Sequence, residues 1–183
     1  MDLGKIGSRY AKAFFLSGKE KNTLDQYYND IRTLQSLLEE NKDIEHFFFN
    51  PVLSPSVKRN IMQKLFADYM HQDTISLLML ITNNKREMYI KDIIRAFITL
   101  YRKEKNIKLV QLTTASHLSS NDEQKIMQIL KEKLQANIEI TKIQDTSLIG
   151  GFILRIDDIQ YNTSVSTKLQ NIKKYLMETE IKN

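Results

Sequence analysis

Apolar residues recur at a helical period through the N-terminal half of the chain, and this pattern constrains the fold more than any other feature. The clearest stretch begins at Leu24 and keeps the period over several turns (Leu24, Tyr27, Tyr28, Ile31, Leu34, Leu37 and Leu38). A helix with one apolar face is stable only when another element covers that face. The repeated pattern therefore predicts a bundle of helices.

The first helix carries a narrower stripe of apolar and small residues (Ile6, Tyr10, Ala13, Phe14 and Ser17). Glycine commonly follows the last turn of a helix because it adopts the left-handed conformation at little cost, so we expect Gly18 to end this helix. The aromatic run Phe47 to Phe49 stands shortly before Pro51. Because the residue before a proline avoids helical geometry, a short third helix is expected to stop near Phe49.

Two further start signals complete the bundle. Ser54 followed by Pro55 predicts an N-cap and a first helical residue, and an apolar stripe continues from there (Ile61, Leu65, Phe66 and Tyr69). Asp73 is expected to cap a fifth helix whose run from Leu77 to Ile81 is apolar on all sides. A sixth helix follows (Tyr89, Ile90, Ile93, Ile94, Phe97, Ile98 and Tyr101).

The helical period breaks near Lys103 to Asn106, and patterns typical of strands follow. Residues 107–114 are rich in β-branched and apolar residues, and Ile138 to Ile140 alternates as a second strand. Between them, Ser120 and Glu123 have the spacing of a capping box at the start of a helix. The chain therefore changes from an all-helical to a mixed composition of elements.

An adjacent pair of glycines, Gly150 and Gly151, indicates a special backbone in this second region. The β-rich run Phe152 to Ile156, the acidic turn Asp157–Asp158 and the run Ile159 to Tyr161 predict a hairpin. An amphipathic helix is expected next, with its apolar residues on one face (Val165, Leu169, Ile172 and Leu176).

Together these patterns predict a mostly α-helical chain of two domains. Residues 1–105 form an N-terminal six-helix bundle with short loops. Residues 106–183 form a small α+β domain of strands, a hairpin and two helices. At 183 residues the chain is long enough for folding to bury about 70% of its unfolded surface.

The side chains offer little for catalysis. There is no cysteine, which excludes disulfides and thiolate chemistry. His46, His71 and His117 are isolated and lack the spacing of metal ligands, and Gly150–Gly151 lacks the pattern of a phosphate-binding loop. Asp157–Asp158 is interpreted as a turn rather than a cation site. We therefore predict no catalytic residues, no metal and no cofactor.

The net charge and the longest apolar run indicate whether the chain binds nucleic acid or inserts into a membrane. The net charge of +5 raises the alternative of a nucleic-acid-binding protein, but the basic residues are interleaved with acids rather than gathered in one stripe. We therefore expect no nucleic acid partner. The longest apolar run, Leu77 to Ile81, is far shorter than the ~20 residues that cross a bilayer, so no direct membrane insertion is expected.

Apolar surface on the first and fifth helices suggests a protein partner. A groove between these helices can accept an amphipathic helix, and seven residues are its candidate lining (Ile6, Tyr10, Ala13, Phe14, Leu77, Leu78 and Ile81). Periodicity alone favours the simpler alternative that all of them are bundle core. A generic helical adaptor with unrelated partners shares the groove prediction.

Two motifs resemble those of a known family. The stretch Ser147 to Phe152 and the later signature positions resemble the C-terminal signature of the delta subunit of F-type ATP synthase (Gly150, Gly151, Phe152, Arg155, Ser164, Lys168 and Leu169). That family includes the mitochondrial oligomycin-sensitivity-conferring protein. Arg9 to Phe14 resembles the opening motif of the family. Two turn positions depart from it, since the family often has proline at Thr146 and glycine at Asp157.

The resemblance implies a non-catalytic stator subunit of the peripheral stalk, which links the alpha/beta catalytic head to the b-subunit stalk and resists rotation of the head. It implies that the N-terminal bundle receives the N-terminal helix of an alpha subunit. It also implies that the C-terminal domain engages the C-terminal end of the b subunit. Because no transit segment precedes the first helix, we expect a peripheral location at the cytoplasmic face of the bacterial cell membrane, as part of the complex.

Overall fold

The computed structural model describes most of the chain (residues 3–116, 119–157 and 159–165, with Thr167 and Leu169). It divides into two compact units, and the division falls between Glu104 and Lys105. The predicted fold class, mostly helical with a small α+β part, is confirmed. The predicted helix after Ser164 falls largely on residues outside the described ranges.

The N-terminal unit is a bundle of α-helices. Its helices are α1 Leu3–Glu20, α2 Leu24–Glu40, α3 Lys42–Phe49, α4 Pro55–Phe66, α5 Gln72–Asn83 and α6 Ile90–Glu104. A short 3-10 turn, Glu87–Tyr89, precedes α6. Helix α6 packs on α1 and α2, while α5 packs mainly on α4. Short connections between sequential helices make this packing possible.

Aromatic side chains from several helices form the centre of the bundle. Tyr27 and Phe97 are fully buried. Phe14 stacks on Tyr27 with the ring centroids 4.3 Å apart, and its centroid lies 5.3 Å from that of Phe97. Such aromatic pairs contribute about 0.5–1.5 kcal/mol beyond the area they bury. These contacts join α1 to both α2 and α6.

The prediction that Gly18 ends the first helix is wrong, because α1 continues to Glu20. Gly18 is buried, and a Cβ at this position would lie 2.7 Å from Cδ2 of Tyr27. The left-handed residue that follows the helix is Asn22, with φ 56°. Gly18 is therefore needed for the close approach of α1 to the Tyr27 ring, and Asn22 turns the chain.

The prediction that Asp73 caps the fifth helix is also wrong. Helix α5 begins at Gln72, and its N-cap is His71, whose Nδ1 accepts a hydrogen bond from the backbone N–H of Asp73 at 3.2 Å. The Asp73 carboxylate is engaged elsewhere, because Lys21 and Tyr27 both donate to it. A tertiary contact thus replaces the local capping role.

Ser54 caps α4 and Pro55 is its first residue, as predicted. The buried face of this helix differs from the predicted stripe, since Leu65 is 48% exposed and Tyr69, 82% exposed, lies beyond the helix. The residues that α4 buries are spaced four apart (Lys58, Met62 and Phe66). One of the three is a lysine, and this obscured the apolar pattern.

Lys58 is held in the bundle by two acceptors. Its side chain is 4% exposed, and Nζ donates to the backbone carbonyl of Phe48 and to Oε1 of Glu87, both at 2.8 Å. A buried charge is tolerated only with such partners. The contacts connect the end of α3 to the 3-10 turn before α6.

We expect Lys58→Met to destabilise the bundle by about 3 kcal/mol, because it leaves the Glu87 carboxylate largely buried without its cation. The double variant Lys58→Met/Glu87→Leu should recover most of that loss, since both charges are then removed. Urea unfolding of the full chain followed by circular dichroism measures both. Lys64→Met, an exposed lysine on the same helix, is the control, and an equal loss there would contradict the expectation.

The C-terminal unit combines one described helix with a sheet. Its elements are strand β1 Ile107–Thr114, helix α7 Ser120–Leu134 and strands β2 Asn137–Gln144, β3 Phe152–Ile156 and β4 Ile159–Asn162. The strand order is β2-β1-β3-β4, with β1 and β2 parallel and the other pairs antiparallel. A parallel pair requires a crossover, which α7 supplies. Val110 and Leu112 of the central β1 are buried.

The glycine pair lets the chain before β3 run against the chain after β4. Gly151 has φ 76°, and a Cβ there would lie 2.6 Å from the carbonyl oxygen of Thr163. The carbonyl of Gly150 accepts the N–H of Val165 at 3.0 Å. The carbonyl of Phe152 accepts both the N–H and the hydroxyl of Thr163. The bend predicted from the glycines is therefore a close backbone contact.

Both departures from the family pattern fit the turns in which they stand. Asp157 has φ 49°, a conformation that aspartate tolerates better than most residues, and Lys108 donates to its carboxylate at 2.7 Å. Asp145 accepts the backbone N–H of Ser147 at 2.9 Å, which forms the 3-10 turn without a proline at Thr146. The turn geometry is thus preserved by other means.

The two glycines make a matched pair for substitution. Gly151→Ala should destabilise the C-terminal unit by about 2 kcal/mol, because it adds a Cβ in the left-handed region against backbone atoms. Gly150→Ala should cost clearly less, since its Cβ would meet only Cγ2 of Val165 at 3.3 Å. Hydrogen exchange of the β3 and β4 amides reports both. If amide hydrogen exchange became faster by the same factor in the two variants, the close contact between Gly151 and Thr163 would not contribute to stability.

Candidate partner-binding site

Helices α1 and α5 are linked at two places, the first of which involves Tyr10. Its hydroxyl oxygen accepts hydrogen bonds from Nδ2 of Asn84 and Nη1 of Arg86, both at 3.1 Å. The guanidinium of Arg86 also lies 5.6 Å from the centroid of the Tyr10 ring, a cation–π contact. These three residues are termed the arginine end.

The second link follows the last turn of α1. Nζ of Lys21 donates to Oδ2 of Asp73 at 2.7 Å, and the hydroxyl of Tyr27 on α2 donates to the same oxygen. Nearby, the carboxylate of Asp30 accepts the backbone N–H of His71 at 2.8 Å. Lys21, Tyr27 and Asp73 are termed the aspartate end. Two donors on one oxygen fix the start of α5 against α1 and α2.

The two links mark the ends of the surface between α1 and α5, where the groove is predicted. About three helical turns separate Tyr10 from Lys21, and about three separate Asp73 from Asn84. Helices α1 and α5 therefore run antiparallel between the arginine end and the aspartate end. Over their described residues their backbones approach closely at few points, because α1 packs mainly on α6 and α5 on α4.

The helical phase identifies the groove residues. On α5, Leu77, Leu80 and Ile81 share a face with Asp73 and Asn84, which both reach α1. Leu77 and Ile81 are 7% and 1% exposed, which suits the floor of the predicted groove, whereas Leu80 is 50% exposed, which suits its rim. On α1, the corresponding face lies between the two ends (Tyr10, Ala13, Ser17 and Lys21).

The structure sorts the predicted groove residues into two groups. Five lie on the faces that border the groove (Ile6, Tyr10, Ala13, Leu77 and Ile81). Phe14 and Leu78 are 6% and 1% exposed; like Leu77 and Ile81, they belong to the buried core of the bundle. Leu80 was missed, although its position seven residues after Asp73 places it on the groove face. The binding role of these residues stays a prediction.

Hydrogen bonds and burial shift two pKa values at the aspartate end. The hydrogen bonds from Lys21, first, and from Tyr27 lower the pKa of the Asp73 carboxyl below its usual value. Burial, followed by the hydrogen bond to Asp73, raises the pKa of the Tyr27 phenol. The charged carboxylate and the neutral phenol thus stabilise each other.

Several of the predicted signature residues in the C-terminal unit form hydrogen bonds with backbone groups. Ser164 is fully buried, and its Oγ accepts the N–H of Thr167 at 3.3 Å. Nε of Arg155 donates to the carbonyl of Asp157 at 3.4 Å. Leu169 is 52% exposed. Lys168 lies outside the described residues.

Chemistry-bearing groups are sparse in the described ranges. Within them, no three side chains of the metal-ligating types come together. His71 caps α5 and His46 lies in the last turn of α3, while His117 lies outside the described residues. No helix found there has the length and apolar character that crossing a membrane requires.

The described residues place the chain in the class of mostly helical proteins in which a small α+β unit follows a helix bundle. The model of the ATP synthase delta (OSCP) subunit family matches residues 6–176. The chain belongs to this family, and it is a component of the peripheral stalk of F-type ATP synthase.

Relatives match over nearly the full length. ATP synthase subunit delta of Flavobacterium psychrophilum is 32% identical over 176 residues, which cover 96% of this chain and 99% of the relative. The Desulforudis audaxviator subunit delta is 28% identical over 178 residues, 97% of this chain and 98% of the relative. A chain in the cryo-EM structure of the Toxoplasma gondii mitochondrial ATP synthase hexamer is similar with TM-score 0.74 and 26% identity, covering 93% of this chain and 97% of that one.

The lowered pKa of Asp73 predicts a pH dependence. Its contribution to the free energy of unfolding is present above the unfolded pKa of about 3.9 and is lost as the pH falls through the lower folded value. Asp73→Asn should therefore be less stable than the native chain at neutral pH and should lose less stability below about pH 4. Urea unfolding across this range tests it. Asp43→Asn, on the exposed side of α3, is the control, and an equal change of pH dependence in both variants would contradict the expectation.

Proposed function

We propose that the groove between α1 and α5 receives the N-terminal helix of an alpha subunit of the synthase head. Leu80 carries the proposal, since it is 50% exposed beside the buried floor residues Leu77 and Ile81. Amphipathic helices bind such grooves through apolar residues spaced i, i+3, i+4 and i+7. A groove of about three turns is long enough for that set of contacts.

The C-terminal unit is proposed to contact the C-terminal end of the b subunit. Apolar side chains are exposed on the β3–β4 hairpin and just after it (Phe152, Ile159, Tyr161, Val165 and Leu169). Clustered apolar exposure supports a protein partner for this unit.

With one partner on each unit, the subunit links the alpha/beta head to the stalk and resists rotation of the head. This task requires tight association at two surfaces and no reacting side chain. In a bacterial cell it places the protein at the cytoplasmic face of the membrane, as a peripheral part of the complex.

Leu80→Glu should weaken binding of a synthetic peptide, the N-terminal helix of the same organism's alpha subunit, by at least about 30-fold. A carboxylate in the middle of an apolar interface is desolvated without a partner, and central residues dominate binding energy. Ala13→Glu on the opposite rim should act in the same direction. Calorimetric titration of the full chain with this peptide measures both.

Leu65→Glu is the matched control, because Leu65 is 48% exposed on α4, away from the groove. It should bind the peptide as the native chain does. Substitution of Phe14 is unsuitable, since its ring stacks on Tyr27 in the core. Absence of binding by the folded native chain, or an equal loss in Leu65→Glu, would refute the proposal.

A further inference from the structure

The two ends of the groove differ in their free charge. At the aspartate end, Lys21 is neutralised by Asp73 at 2.7 Å, and Lys19 pairs with Glu104 at 2.6 Å. At the arginine end, Arg86 contacts the ring and hydroxyl of Tyr10, and no carboxylate in the described ranges pairs with it. The groove therefore has one end with unneutralised positive charge.

Arg9 adds a second cation at the same end. It is exposed, and it lies four residues before Ala13, so the two share the face of α1 that borders the groove. It precedes Tyr10 directly, and among the described residues no acid pairs with it. Lys12, by contrast, lies on the side of α1 that carries Ser8, farther around the helix from Ala13 than Arg9 does.

The guanidinium of Arg86 is also held in place. The Tyr10 hydroxyl accepts one of its N–H groups and the Tyr10 ring supports its face, so its remaining donors keep a defined direction. A pre-positioned guanidinium loses less conformational freedom when it binds a carboxylate. This favours a carboxylate partner over a neutral one.

We infer that the helix bound in this groove presents acidic side chains to Arg9 and Arg86, and that these contacts determine the direction in which the helix lies. The inference rests on the proposed function. The apolar floor of Leu77 and Ile81 accepts an apolar helix face in either direction. The positive charge at one end favours the direction that brings the acidic side chains of the bound helix to Arg9 and Arg86. Electrostatic complementarity of this kind sets register and rejects the wrong orientation.

The first test compares two charge reversals on α1 in the full chain, titrated with the alpha-subunit peptide at low and high salt. Arg9→Glu should weaken binding about tenfold at low salt, and the effect should shrink at high salt because exposed charges are screened. Lys12→Glu makes the same change in net charge farther from the groove face and should change affinity less than about twofold. A peptide whose acidic residues at one end are replaced by lysine should bind Arg9→Glu better than the native chain.

The second test reads the direction. A nitroxide attached at the acidic end of the peptide should broaden the amide resonances of Arg9 and Arg86 in the bound native chain. The same label at the other end should broaden those of Lys21 and Asp73.

The outcomes separate the inference from the proposed function. Three results would overturn the inference alone, provided that the native chain binds the peptide tightly. Arg9→Glu and Lys12→Glu could have equal affinities, or the two nitroxide labels could broaden the opposite sets of resonances. The peptide could also lack an acidic residue near either end. Failure of the native chain to bind the peptide would overturn the proposed function and the inference with it.

Discussion

The N-terminal unit depends on the side chain of Tyr27. Its ring stacks on Phe14 and lies against Gly18, so that two successive turns of α1 pack on the Tyr27 ring. Its hydroxyl donates to Asp73 at the start of α5. One residue of α2 therefore positions both helices that border the groove. Because a buried phenol and a carboxylate must keep their hydrogen bond, the spacing of α1 and α5 at this end has little freedom.

The sequence predicted the helices of the bundle well because apolar periodicity reflects burial, and burial is what stabilises each helix. It failed where a residue is defined by a distant partner. Gly18 has the local character of a helix end, yet it is kept for contact with Tyr27. Asp73 has the character of a cap, yet it binds Lys21 and Tyr27. Lys58 breaks an apolar stripe, yet its ammonium is satisfied inside the bundle.

The same reasoning explains the candidate site and the glycine signature. Periodicity assigned Leu77 and Ile81 to a face of α5, but it could not decide which neighbours leave Leu80 exposed and Leu78 covered. In the C-terminal unit the glycine pair predicted a bend from local conformation alone. That Gly151 faces the carbonyl of Thr163 depends on strand pairing, which no local pattern reveals.

At the ends of the predicted groove, the residues that would contact a partner also stabilise the bundle, whereas those in its middle do not have both roles. Tyr10 and Asp73 hold α1 and α5 together, so a change at either alters the groove by altering the fold. Leu80 has half of its surface exposed, so a change there affects a bound partner more than the bundle. Buried contacts around a partly exposed apolar middle suit the proposed role, because load on a bound helix would pass to contacts such as the Phe14–Tyr27 stack.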